Sequence, residues 1–334
     1  MSAAVAFLPV LLFLAALVFM DSFKLVPLRA VAAALVAGVL AALAAGFVNA
    51  AVADALDLRA LDLARTVAPL AEEVLKTLYV VYLVRRGRVG FLVDAAILGF
   101  AVGAGFALAE NLEYLRALPE RGLLLWAVRG FGTAMLHGGT TAIVAILAKS
   151  LHDRFGGRPF GQLDFVPGLL LACGLHLFFN RAMLPPVAIT LLLLAGLPFV
   201  MVLVFARSER ATRAWLGVGL DSDLEVLQSI LQGSVLETRV GSYLESLKAH
   251  FEGPVVADML CLLRIQLELS IRAKGLLLAR EVGLEPEVGE DVRANLQELR
   301  YLQRSIGRTG VLAVKPILRR TSRDLWQVYM LERA

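Results

Sequence analysis

The sequence predicts an all-α fold: a polytopic membrane protein with about seven transmembrane helices, followed by a soluble helical bundle. Three observations carry this. Hydrophobic residues fill 58% of the 334 positions and mean hydropathy is +0.73, far above a soluble domain. The apolar residues concentrate before about Arg207, in stretches close to the 20 or so residues that a helix needs to cross a bilayer. Beyond that point leucines recur at helical spacing between charges. The domains are therefore expected at 1–207 and 208–334.

Seven segments qualify as spans: roughly 3–20, 28–53, 66–84, 91–118, 122–150, 162–182 and 184–206. The first lacks a basic leading region and a convincing cleavage site, and is read as a span rather than a secretory signal. Residues 1–207 hold 16 Lys and Arg against 12 Asp and Glu, whereas residues 208–334 hold 17 of each. The basic excess thus belongs to the membrane part and reports topology. No basic patch with interleaved aromatics occurs, so no nucleic-acid partner is expected.

With the N-terminus outside, the inner loops and the flank after the last span carry eleven basic residues: Lys24, Arg29, Arg85, Arg86, Arg88, Lys149, Arg154, Arg158, Arg207, Arg210 and Arg213. The outer loops carry five: Arg59, Arg65, Arg116, Arg121 and Arg181. Positive charge stays on the cytoplasmic side. The N-terminus is therefore expected outside and the C-terminal domain in the cytoplasm.

In the C-terminal domain, Leu224 to Leu236, Leu260 to Ile271 and Leu296 to Leu302 mark three helices, with Asp221 or Ser222 as N-cap of the first. Gly253-Pro254 and the stretch from Gly283 to Pro286 separate them. A last helix at about 316–331 carries Leu318, Leu325, Trp326 and Tyr329. No catalytic constellation occurs there, and the domain is expected to bind a cytoplasmic partner. Cys173 and Cys261 fall in different domains and are read as free thiols.

The membrane part carries polar groups that a lipid-facing helix would not keep. An ionisable side chain at the centre of a span costs roughly 2.5–3.5 kcal/mol on insertion scales. Yet the third segment brings Glu72, Glu73 and Lys76, with the lysine one turn beyond both carboxylates. Gly99, Gly103, Phe106 and Glu110 share one face of the fourth, followed by Asn111. Arg129 and His137 lie in the fifth, and His176 and Asn180 stack at i, i+4 in the sixth. At 1.5 Å per residue, Glu72, Glu110 and His176 lie about 9, 12 and 9 Å from the outer ends of their segments, and His137 about 22 Å down. One cluster opening outward satisfies these depths.

Two carboxylates beside a lysine can hold one of them ionised as a general base for water, and His and Asn side chains can stabilise an oxyanion. That combination fits peptide hydrolysis. Histidine and glutamate also bind zinc with an open position for water, although His137 is followed by Gly-Gly-Thr-Thr rather than an HExxH pattern. Two other functions use the same residue types. One is a proton-coupled transporter or channel, against which no inverted repeat is found. The other is a non-catalytic membrane scaffold or sensor.

In order along the chain, Glu72-Glu73-x-x-Lys76, Asp94, Gly105-Phe106-x-x-x-Glu110-Asn111-x-x-Tyr114, Arg129, His137 and His176-x-x-x-Asn180 resemble the PrsW family of intramembrane proteases. That family is distantly related to the CAAX-processing membrane endopeptidases. The resemblance spans about residues 66–206. It implies site-1 cleavage of a membrane-anchored substrate, such as an anti-sigma factor, near the outer face of a bacterial cytoplasmic membrane. Carried over, Glu72 and Glu73 activate water; because adjacent residues point about 100° apart on a helix, Glu72 is read as the primary base and Glu73 as its support or as the partner of Lys76. Glu110 assists, His176 and Asn180 stabilise the oxyanion, His137 completes the site, and Lys76, Asn111 and Arg129 support it. Glutamate-activated water without a cofactor is the expected mechanism. If a metal is used, Glu72, Glu110, His137 and His176 are its candidate ligands, and zinc is the candidate ion.

Overall fold

The computed structural model describes residues 1–118, 122–154, 161–284, 286, 287, 289–317 and 322–332. Arg121, Arg158 and Leu318 of the sequence reading lie outside these residues, as does the side chain of Leu325. Among the described residues every regular element is helical, and the chain forms two compact units, Met1–Ser208 and Glu209–Ala334.

Unit 1 contains α1 (Ser2–Phe19), α2 (Leu28–Leu56), the short α3 (Ala60–Arg65), α4 (Val67–Arg85), α5 (Leu92–Ala117), α6 (Leu123–Ala127), α7 (Ala134–Arg154) and α8 (Val166–Asn180). Into it also falls the first part of α9 (Pro186–Leu231). The core is the pair α5 and α7, with α1, α2, α4 and α8 packed around it. Small residues explain why α5 can be central. A Cβ on Gly103 would sit 2.0 Å from the His137 carbonyl oxygen, and one on Gly99 2.9 Å from Ala142 Cα. Bare glycine lets the two backbones meet, which is how helices associate inside a bilayer, where apolar side chains gain nothing by leaving lipid.

Among the described residues, five helices are long and apolar enough to cross a membrane: α1, α2, α5, the stretch Leu123–Arg154, and α9. The other two expected spans are also helical but differ for physical reasons. The 19 residues of α4 carry Glu72, Glu73 and Lys76, which lower its hydropathy, and those charges turn inward rather than to lipid. α8 is 15 residues long, starting at Val166 rather than near 162. The fifth segment is not one continuous α-helix. Val128–Thr133 forms a wide π turn containing Arg129, Gly130 and Gly132 between α6 and α7.

The Asp221 or Ser222 cap does not form. α9 continues as one helix through both residues to Leu231, because no proline or left-handed glycine interrupts it there; it stops before Gly233, which has φ +74°. Unit 2 otherwise contains α10 (Arg239–Leu247), α11 (Gly253–Glu281), α12 (Glu290–Ser305), α13 (Gly307–Val314) and α14 (Ser322–Leu331). Gly253-Pro254 opens α11, proline being tolerated in a first turn where no N–H is required. Met259, Leu262, Leu269, Leu277, Leu296, Leu299 and Trp326 form its core. Both cysteines are free, Cys173 buried and Cys261 exposed.

Candidate active site

Glu72, Glu73, Glu110, His137 and His176 gather at one end of the helix bundle. Glu72 and Glu73 stand in the second turn of α4, Glu110 two turns before the end of α5, His137 in the first turn of α7, and His176 one turn before the end of α8. Four helices therefore each contribute to one cluster.

Glu73 is its buried hub. Its side chain is fully enclosed, and its Oε1 accepts hydrogen bonds from Lys76 Nζ at 2.6 Å, His176 Nδ1 at 2.8 Å and Thr140 Oγ1 at 3.1 Å. Lys76, also fully buried, reaches His137 Nδ1 at 3.2 Å and Thr140 Oγ1 at 3.4 Å, and lies over the Phe106 ring. A buried charge persists only when paired and hydrogen-bonded, and this pair is both. Thr140 has no place in the sequence reading. A threonine in an apolar helix carries no distinctive signal, but it sits one turn beyond His137 in sequence.

Glu72 points elsewhere, as adjacent residues on a helix must. Its Oε2 stands 3.8 Å from His176 Nε2, and its Oε1 accepts from Asn49 Nδ2 at 3.4 Å. Asn49 was also missed. The detectable signal is that no other polar side chain occurs between Arg29 and Asp54 in α2. The two histidine rings meet edge to face with centroids 4.8 Å apart.

Glu110 completes the rim, with its side chain 23% exposed. Its Oε2 accepts from His137 Nε2 at 3.0 Å and lies 3.2 Å from Arg129 Nη2. The Arg129 contact is a charge contact rather than an aligned hydrogen bond. Arg129 is held by Nε donating to Asn111 Oδ1 at 2.9 Å and by stacking 3.5 Å over the Tyr114 ring.

Asn180 is not brought into the cluster. Its amide donates to the Ala64 carbonyl at 3.0 Å, so α8 and α3 are tied together there. The oxyanion role expected for it finds no support in this geometry: the hydrogen bond its amide makes runs to a backbone carbonyl of α3, not to a member of the cluster.

A metal is a chemical fit for part of the cluster. One ligand atom each from Glu72, His137 and His176 lie within 4.8 Å of one another. A carboxylate with two imidazoles is a donor set known for catalytic zinc. His176 is oriented for this, because Glu73 takes its Nδ1–H and leaves Nε2 facing Glu72. For His137, Lys76 donates to Nδ1, so the ring proton sits on Nε2 and is given to Glu110. A cation on that nitrogen would displace the proton, so loading would be coupled to proton release. Glu110, the fourth candidate ligand, does not join the three; it is engaged by His137 and Arg129.

A model of the PrsW family, described as PrsW family intramembrane metalloprotease, matches residues 26–207. No curated protein and no solved structure matches the chain.

Proposed function

Since the chain belongs to the PrsW family of intramembrane metalloproteases, we propose that the four-helix cluster hydrolyses a peptide bond of a membrane-anchored protein. The observation that carries this is the convergence of Glu72, His137 and His176 from three separate helices to within 4.8 Å, with the ionisable Glu110 on the rim. A structural ion pair needs one carboxylate and one lysine. The additional Glu72, Glu110, His137 and His176 go beyond that requirement.

In this reading Glu72, His137 and His176 would hold one divalent cation, zinc being the best chemical fit. When bound, it supplies Lewis acidity for the scissile carbonyl and lowers the pKa of water. Glu110 is the general base: it is the most exposed carboxylate of the cluster, and a cation on His137 Nε2 would free its Oε2 from the hydrogen bond it now accepts. Arg129 offsets its charge. Glu73 is too enclosed to meet substrate and acts by orienting His176, while Lys76 neutralises Glu73. The metal reading departs from the metal-free mechanism expected from the sequence; the Glu72 carboxylate facing the His176 imidazole nitrogen and the family's description as metalloproteases support it.

The distribution of positive charge, eleven inner against five outer residues, supports a site opening to the outer face of a bacterial cytoplasmic membrane. Site-1 cleavage of an anti-sigma factor fits that orientation, and unit 2 would then face the cytoplasm as a partner-binding module. The test is cleavage of a single-span reporter by the full chain in lipid. Glu72→Gln, Glu110→Gln, His137→Ala and His176→Ala should each abolish it. A chelator should remove activity and zinc restore it. Cleavage that survives Glu72→Gln together with chelation would overturn the metal mechanism. Ion or solute flux lost in the same variants, without any cleavage, would favour a transporter.

A further inference from the structure

The region matched by the family begins at residue 26 and so leaves out α1, yet α1 is built into the wall behind Glu110. Three separate contacts make that connection. Asn111 Nδ2 donates to the backbone carbonyl of Ala6 at 2.9 Å, while Asn111 Oδ1 accepts from Arg129 Nε at 2.9 Å. Gly130, next to Arg129 in the π turn, lies against the Val5 carbonyl so closely that a Cβ there would be 1.9 Å from that oxygen. Phe13 packs on Phe100 of α5, ring centroids 5.0 Å apart, and Ala6 and Val10 are fully buried.

The sequence of α1 explains why its backbone is available. Pro9 lies inside the helix and has no N–H to give the carbonyl four residues earlier, which is that of Val5. A carbonyl oxygen has two lone pairs, so Ala6 can serve its own helix and Asn111 together. A π turn is a local widening that recurs at functional sites, and here it presents Arg129 to Glu110 at 3.2 Å.

We propose that α1 is a positioning element of the active site: through Ala6–Asn111 and Val5–Gly130 it sets the π turn, and the π turn sets Arg129 against Glu110. Asn111 and Arg129 are positioning residues, acting through Glu110. The role in catalysis rests on the hydrolase reading given above; the bracing does not. A group displaced by about 1 Å can cost about 10²-fold in rate without loss of the fold.

The experiment uses the full chain in lipid, with Asn111→Leu cutting both hydrogen bonds and Gly130→Ala disturbing only the contact with α1. Phenylglyoxal modification of Arg129, read by peptide mass spectrometry, reports its shielding independently of any activity. Arg129 should be protected in the wild type and modified several-fold faster in both variants. On a single-span reporter, kcat should fall by about 10²-fold with KM essentially unchanged. Unchanged Arg129 protection in both variants would overturn the proposal, as would parallel loss of kcat, KM and thermal stability, which marks a merely structural role. If the wild type cleaves nothing while Arg129 exposure still follows the two variants, the hydrolase reading fails and the bracing by α1 stands.

Discussion

Glu73 of α4 and His176 of α8 share a 2.8 Å hydrogen bond across 103 residues of sequence, and neither side chain reaches solvent. The bond does two jobs. It locks the imidazole with Nε2 toward Glu72, and it helps Lys76 satisfy a carboxylate that could not otherwise stay charged so deep in the bundle.

Removing one partner from this arrangement should be worse than removing both. Glu73→Ala leaves Lys76 buried and uncompensated, at a cost of about 3–5 kcal/mol. Glu73→Gln with Lys76→Met removes both charges and should recover most of the stability, though not the activity, since His176 loses its strong acceptor. Thermal unfolding in one detergent, run beside reporter cleavage, checks both parts. Equal stability of Glu73→Ala and wild type would contradict the pairing.

Asn49 should tune the site through Glu72. Its Nδ2 contacts Glu72 Oε1 and its Oδ1 is buried with no hydrogen-bond partner, so the side chain serves the site more than the fold. Asn49→Leu suits α2 and should leave stability within about 0.5 kcal/mol. Cobalt affinity, followed by visible absorption, should weaken by about 10–100-fold. An unaltered cobalt titration would remove Asn49 from the site.

Gly103 is one of the points where α5 and α7 touch, against the backbone of His137 itself. A backbone carbonyl cannot rotate away as a side chain does. Gly103→Ala should therefore push α7 outward, cost about 1–3 kcal/mol as overpacking does, and move His137 with it. The measurement is the midpoint of thermal unfolding together with cobalt binding; Gly46→Ala in α2, where a Cβ meets nothing, is the control.

Asp21 in the loop between α1 and α2 gives a pH dependence. Burial pushes its carboxyl from 3.8 up to about 6, partly offset by the backbone N–H groups of Val26 and Leu25 and by Lys24. A group whose pKa is raised on folding contributes stability that is present below the unfolded value and lost as pH rises through the folded one. Wild-type stability should thus decline by up to about 1.4 kcal/mol per pH unit between about pH 4 and 6 on account of this residue. Asp21→Asn should flatten that part of the profile, with denaturant titrations at pH 4, 5, 6 and 7 as the check. The same slope in both proteins would exclude Asp21 as the cause.

Much of the site was legible because intramembrane charge is expensive. Glu72, Glu73, Lys76, Glu110, His137 and His176 stood out against apolar surroundings, and all six meet in space. Asn49 and Thr140 stood out less, since an amide or hydroxyl in a span is a cheaper and commoner guest than a charge. Asn180 is a different case. Helical spacing puts it on the same face as His176, but a backbone acceptor at Ala64 captures its amide. Spacing along one helix says which way a side chain leaves the axis; it does not say which partner lies nearest.

By itself the sequence determined the helical membrane architecture, the change of character after Arg207 and the identity of the charged residues at the site. These follow from hydropathy and period, which are local properties of the chain. Only the tertiary structure decided how the two adjacent glutamates divide, Glu73 to Lys76 and His176, Glu72 to Asn49 and the His176 edge. It also decided the π turn at Arg129 and the bracing of that turn by α1. Those outcomes depend on which helices approach closely enough to exchange hydrogen bonds. That approach is set by glycines such as Gly103 and Gly130, whose meaning appears only when the opposite backbone is in place.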